Sequence, residues 1–155
     1  MRKRTPVSAA LAGLAVAVVL GGHFTVAKDA PKPDDLPRLR SGEWMAKLKA
    51  DDLAGFFAIL ETDSIATVTK PNETMKQALK LQRDEFAKHQ GRSIGDVELV
   101  RTETIGKSFL RLTYLDKFER HAMLWQFVFY RSAEGWKLQG LTWNFNSTVL
   151  FAEAR

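Results

Sequence analysis

Residues with acid–base chemistry are concentrated in one short segment of the sequence. They are Tyr114, Asp116, Lys117, Glu119, Arg120 and His121. The segment spans the end of one predicted strand and the start of the next, so these side chains can converge at a hairpin. A neighbouring carboxylate moves the pKa of a histidine across neutrality, which suits acid–base catalysis. His121, Asp116 and Tyr114 are therefore the candidate catalytic residues, and the alternative is a hairpin tip with solvated charges and one packed histidine.

A second candidate group is aromatic. It consists of Trp125, Phe127, Phe129, Trp143 and Phe145. If the third and fourth predicted strands pair around a turn at Glu134 and Gly135, these odd-numbered residues lie on one face of the sheet. Three interpretations stay open: core packing against helices, a pocket for a small apolar ligand, or a homodimer face through the sheet.

Several classes of site are not predicted. The chain has no cysteine, which excludes disulfides, cysteine catalysis and thiolate metal sites. His89 and His121 are far apart and show no metal-ligand spacing, so no metal is expected. The sequence has no phosphate loop, nucleophile elbow or dinucleotide fingerprint, so no cofactor is expected either.

The N-terminus has the composition of a secretory signal peptide. Residues 1–4 are basic, residues 7–20 are apolar, and small residues follow up to Ala27. The apolar run is shorter than the roughly 20 residues of a bilayer span. We therefore predict a signal peptide over residues 1–27 and a periplasmic or secreted protein with no stable membrane span after cleavage. The alternative is an uncleaved anchor.

Charge argues against nucleic acid as a partner. The chain from Lys28 onwards keeps 20 of the 23 Lys and Arg residues and all 18 acidic residues, for a net charge of +2. Nucleic-acid binding needs a clustered basic face.

Residues 28–40 contain three prolines and alternating charges, which predicts an extended linker. Residues 41–155 are then one domain.

Helices are predicted before any strand. Ser41 has the character of an N-cap, and apolar residues at helical spacing follow through residues 42–60. This region is one helix, or two with a break near Asp51, which would cap the second. A further helix begins after Asn72 and ends at Gly91. Its apolar positions are Met75, Ala78, Leu79, Leu81 and Phe86.

After these helices the hydrophobic period changes from helical to alternating, which predicts four strands. They cover residues 96–105, 108–118, 120–132 and 136–146. Short turns at Gly106 and Lys107, and at Glu134 and Gly135, require neighbouring strands to run antiparallel. The expected class is α+β, with N-terminal helices packed on a curved, cone-like, four-stranded antiparallel sheet.

The third predicted strand is apolar on both faces. His121, Met123, Trp125, Phe127 and Phe129 share one face, and Ala122, Leu124, Val128 and Tyr130 share the other. An antiparallel strand with one wet face should alternate apolar and polar residues, so both faces of this strand should be covered. Helices would cover one face. A partner subunit, the curl of the sheet or a pocket would account for the other.

The element order and two segments carry a resemblance to a known superfold. Residues 114–131 (YLDKFERHAMLWQFVFYR) and 135–138 (GWKL) resemble small exported bacterial proteins of the nuclear-transport-factor-2-like and cystatin-like superfold. The resemblance covers about residues 41–150 and implies a cone-shaped sheet around helices. The superfold includes ketosteroid isomerases and polyketide cyclases. No motif transfers their catalytic residues to this chain, and fold analogy alone does not license an activity.

Together these features favour an exported, non-catalytic binding or interaction domain. Its partner would be a small apolar ligand or an envelope protein. The alternative is a small cone-pocket enzyme with isomerase-like or cyclase-like acid–base chemistry at His121, Asp116 and Tyr114.

The signal-peptide prediction can be tested directly. The exported protein should begin near Lys28, because the small residues before it suit a signal peptidase. Mass spectrometry of the processed protein would give its N-terminus. Recovery of intact residues 1–27 in the membrane fraction would contradict cleavage.

Overall fold

The helices precede the strands in the chain. The structure, a computed structural model, describes residues 33–66 and 71–151, so the predicted signal peptide lies outside the described residues. A 3-10 turn at Pro33–Asp35 leads into α1 (Leu36–Lys49), α2 (Leu53–Thr62), α3 (Glu73–Gln90), β1 (Ser93–Ile105), β2 (Phe109–Phe118), β3 (Ala122–Ser132) and β4 (Gly135–Asn144). The predicted α+β class is confirmed. Within the described part of the chain, no helix has the length and apolar content to cross a membrane.

The four strands form one antiparallel sheet in chain order. β1 pairs with β2, β2 with β3 and β3 with β4, and the curved sheet does not close on itself. The first turn follows Ile105 as predicted but has three residues, Gly106 to Ser108, instead of two, because Ile105 pairs with Phe109. The last turn was placed one residue too late: Gly135 pairs with Ser132, so Ala133 and Glu134 form the turn. Two-residue turns of this kind hold neighbouring strands in register.

The core lies between the helices and one face of the sheet, called the inner face here. Trp125, Phe127 and Phe129 of β3 are completely buried on this face. Trp44 of α1 stacks on Phe129 with ring centroids 6.0 Å apart, and Phe56 of α2 meets Trp125 edge-on at 5.3 Å. Tilted and edge-on aromatic contacts are the favoured geometries. The two helices are therefore fixed to the sheet by ring packing.

The start of α1 differs from the prediction. Ser41 is not an N-cap, because the helix begins at Leu36, inside the segment predicted as a linker. Pro37 lies in the first turn, where its missing N–H is not needed. Ser41 is buried, and its hydroxyl donates to the Pro37 carbonyl at 2.7 Å. Pro33 and Pro37, which contributed to the linker prediction, therefore lie in a 3-10 turn and in the first turn of a helix.

Of the two predicted alternatives, the structure has two helices with a break near Asp51, but the predicted cap is wrong. Asp51 has a φ of 56°, and this left-handed residue turns the chain between the helices. Asp52, not Asp51, caps α2: its side chain accepts from the Gly55 N–H at 2.7 Å. The side chain of Asp51 is left to contact α3.

α3 has the predicted ends but a different inner face. Asn72 caps it by accepting from the Met75 N–H at 2.8 Å, and Gly91 ends it with a φ of 79°. Leu81, one of the apolar positions on which this helix was predicted, is 64 % exposed. The buried residues are Leu79 and Arg83. Leu81 lies about 200° from Leu79 around the helix, since each residue turns it by about 100°.

The second face of β3, called the outer face here, is covered only in part. Leu124 is buried, whereas Tyr130 at the far end is exposed. A 3-10 turn at Ser147–Leu150 packs beside β3, and Arg101 of β1 donates a hydrogen bond to the Leu150 carbonyl. The expectation of full cover on both faces is therefore met near Leu124 and not near Tyr130.

Core packing predicts a large effect of truncating Trp125. Trp125→Ala should lower the free energy of unfolding by about 3–5 kcal/mol, because it removes a fully buried ring. Chemical denaturation monitored by circular dichroism gives the value. The control Leu81→Ala removes an exposed side chain and should change stability by less than about 0.5 kcal/mol. Equal effects of the two substitutions would contradict this account of the core.

Candidate functional site

Tyr114, the first candidate catalytic residue, is part of the interface between sheet and helix. Its ring is buried on the inner face of β2 and meets Phe127 edge-on at 5.8 Å. Its hydroxyl lies 2.8 Å from Ser41 Oγ on α1. Burial raises the pKa of Tyr114, and the hydrogen bond to Ser41 partly opposes this. The hydroxyl is therefore neutral and held in a contact that joins β2 to α1.

Asp116, the second candidate, is a fully buried carboxylate. Arg83 of α3, itself buried, donates a hydrogen bond to it and reaches Asp51 at 3.1 Å with its other amino group. Ser93 of β1 donates at 3.4 Å. Burial raises the pKa of Asp116, while the Arg83 guanidinium and the Ser93 hydroxyl oppose that rise. The group thus links α3, β1 and the turn between α1 and α2 to β2.

His121, the third candidate, lies at the hairpin that connects β2 to β3. The Ala122 N–H donates to His121 Nδ1 at 2.8 Å, and the ring meets Phe86 of α3 edge-on at 5.6 Å. Among the described residues, no hydrogen bond joins His121 to Asp116 or Tyr114. The three candidates share one region of sequence, but each is held by a different neighbour.

The aromatic candidates divide into two sets. Trp125, Phe127 and Phe129 fill the space between the sheet and the first two helices. Trp143 and Phe145 are half-buried and contact α3. The Trp143 indole N–H donates to Gln82 at 2.7 Å, and the Phe145 ring lies 4.6 Å from that of Phe86. All five residues thus contribute to packing between helices and sheet.

An open groove of about 410 Å³ lies between α2 and α3. The α2 wall is apolar and the α3 wall is polar. The lining residues are Leu53, Ala54, Phe57, Ala58 and Glu61 of α2, and Lys76, Gln77 and Lys80 of α3. Lys76 bridges the groove by an ion pair with Glu61 and also contacts Glu73 at 2.7 Å. The hydrogen bond that the Lys76 ammonium donates to Glu61 raises the pKa of Lys76, which keeps the bridge charged.

The composition of α2 explains the apolar wall. Its sequence LAGFFAILET has no polar residue before Glu61. Phe56 and Leu60 enter the core, while Ala54 and Ala58 stay exposed in the groove. A helix that is apolar on all sides is normally buried on all sides. This apolar composition of α2 is the sequence signal for the groove, and neither the acid–base cluster nor the aromatic residues of the strands indicate it.

Comparison of the chain with protein-family models, with curated proteins and with solved structures gave no match. Within the described residues, no three histidine or acidic side chains are grouped so that they could hold a metal ion.

The Arg83–Asp116 pair predicts a pH-dependent penalty when the arginine is removed. Arg83→Met should lower the free energy of unfolding by about 3–5 kcal/mol near neutral pH, because Asp116 stays buried without its partner. The protonated form of a carboxyl with a raised folded-state pKa favours the fold. Its stabilisation is complete below the unfolded value near 3.8 and is lost as the pH rises through the folded-state pKa.

The deficit of Arg83→Met should therefore shrink as the pH falls, and denaturation curves at several pH values measure it. Arg83→Met/Asp116→Asn should largely abolish this pH dependence. Lys80→Met is the matched control, since Lys80 pairs with Asp84 on the exposed face of the same helix. Its effect should stay below about 1 kcal/mol. A deficit of equal size at every pH would contradict a buried, titrating Asp116.

Proposed function

We propose that this protein is an exported, non-catalytic binding domain that takes a small apolar ligand in the groove between α2 and α3. One observation carries the proposal: α2 exposes apolar side chains to an open groove of about 410 Å³. Ligand sites commonly have volumes of about 300–1,000 Å³ and mainly apolar linings. Export is supported by the signal-peptide composition of residues 1–27.

The positions of the candidate catalytic groups support binding over catalysis. An acid–base residue must reach a reacting atom of a bound substrate. The Tyr114 hydroxyl is instead held by Ser41, and the Asp116 carboxylate by Arg83 and Ser93. Both contacts fasten helices or strands to β2. These structural contacts explain why the two groups are buried, and no substrate is needed to explain it.

The packing of the inner face also supports the groove as the ligand site. Trp125, Phe127 and Phe129 have no exposed surface, because rings from α1 and α2 lie against them. A ligand at that face would have to displace part of the core. In the groove, Ala54 and Ala58 are already exposed and need no displacement. A relationship to the nuclear-transport-factor-2-like superfold stays a prediction.

A groove-filling substitution tests the proposal. Ala58→Trp should weaken binding of the neutral apolar probe N-phenyl-1-naphthylamine by more than about tenfold, because the indole occupies the ligand volume. Probe fluorescence gives the affinity. The thermal unfolding midpoint should be unchanged, since Ala58 is exposed. Ala54→Trp is an independent second variant at the other part of the groove wall.

Leu81→Trp is the matched control for these variants. It adds an indole to an exposed position of α3 that does not line the groove. Its probe affinity should equal that of the wild type. Wild-type affinity in both groove variants, or an equal loss in Leu81→Trp, would refute the groove as the binding site.

A further inference from the structure

A row of four residues crosses the outer face at one end of the sheet. Ile105 pairs with Phe109, Phe109 with Tyr130, and Tyr130 with Lys137, so the four side chains lie side by side on β1 to β4. We call them the end row. Ile105 is 77 % exposed, Phe109 41 % and Tyr130 37 %. Apolar side chains are thus presented together to solvent, and none of them lines the groove between α2 and α3.

The surroundings of the end row are basic at the turn. Ile105 and Phe109 flank the turn that carries Lys107, an exposed residue with no ion pair among the described residues. The Lys137 Nζ atom lies 3.9 Å from Glu134 Oε2, near the upper limit for an ion pair. The next row inward holds a hydrogen-bonded pair in which Arg111 donates to Glu103 at 2.7 and 2.9 Å. The apolar residues of the end row are therefore accompanied by Lys107, which is exposed, and by Lys137, which is partly exposed.

The size of the end row argues against a protein partner. A specific protein interface buries about 800 Å² on each side, from about 20–30 residues. Three partly exposed apolar side chains, Ile105, Phe109 and Tyr130, fall well short of that set. A lipid surface has no such minimum area, because each inserted apolar side chain contributes by its own buried surface.

The residue types fit a lipid surface. Ile105 and Phe109 are apolar throughout and lie beside the tip of the hairpin. Tyr130, whose ring lies 5.1 Å from that of Phe109, combines an apolar ring with a polar hydroxyl, as is common at membrane–water interfaces. Lys107 and Lys137 supply cations for anionic headgroups. We propose that the end row docks the domain on an anionic lipid surface, with Ile105 and Phe109 inserted.

This inference does not depend on the ligand groove, and position-specific fluorescence on the full chain tests it. Because the chain has no cysteine, the variant Ser108→Cys carries a single label in the exposed turn between β1 and β2. The control label is at Lys88→Cys, an exposed position in the last turn of α3. An environment-sensitive dye is attached to each variant. Vesicles of phosphatidylcholine with and without phosphatidylglycerol are then added. A local readout is needed because the apolar residues 7–20 could themselves hold the chain at a vesicle.

The dye at position 108 should brighten several-fold and shift to the blue with phosphatidylglycerol vesicles, and the dye at position 88 should not. Adding Ile105→Ser and Phe109→Ser should abolish the response at position 108. The matched pair Leu81→Ser and Ile94→Ser removes exposed apolar side chains elsewhere and should leave it unchanged. Equal responses at positions 108 and 88, or with both lipid compositions, would overturn the proposal. A response without vesicles that grows with protein concentration would instead assign the end row to a second copy of the chain.

Discussion

The packing of Trp44 against Phe127 and Phe129 is the contact on which the arrangement of this domain depends. The Trp44 ring centroid lies 5.4 Å from that of Phe127 and 6.0 Å from that of Phe129, and all three rings have no exposed surface. This contact fixes α1 to the inner face of the sheet. With Phe56 added from α2, the space between these two helices and β3 is filled with side chains. Aromatic residues that could have lined a pocket therefore hold the helices.

α3 is attached by different chemistry, and the groove is a consequence. Its buried residues are Leu79 and Arg83, and Arg83 forms an ion pair with Asp116 on the inner face of β2. The side of α3 that faces α2 carries Lys76, Gln77 and Lys80. These polar residues do not pack closely against the apolar wall of α2, since burying charged ends would require compensating partners. The two helices are bridged by a surface ion pair and separated by an open groove.

The order and type of the elements were predictable because each leaves a local pattern in the sequence. The change from helical to alternating periodicity, Asn72 as a cap and Gly91 as a helix end all act within a few residues. The buried pair between Arg83 and Asp116 joins positions 33 residues apart, so no local pattern marks it. Ser41 was misread for the same reason, because its partner Tyr114 lies on a distant strand.

The candidate catalytic residues Tyr114 and Asp116 were also predicted from a local pattern, and their partners lie far away in the sequence. A cluster of acid–base residues near a strand end predicts shared chemistry only if their side chains share a space. Alternation along β2 did put Tyr114 and Asp116 on one face, yet α1 supplies a hydroxyl for one and α3 a guanidinium for the other. Some apolar side chains do not pack in the core and stay exposed on α2 and in the end row. On α2 they line a groove of about 410 Å³ beside the polar side of α3, and in the end row they lie on the outer face of the sheet near Lys107, so the two surfaces suit partners of different chemistry.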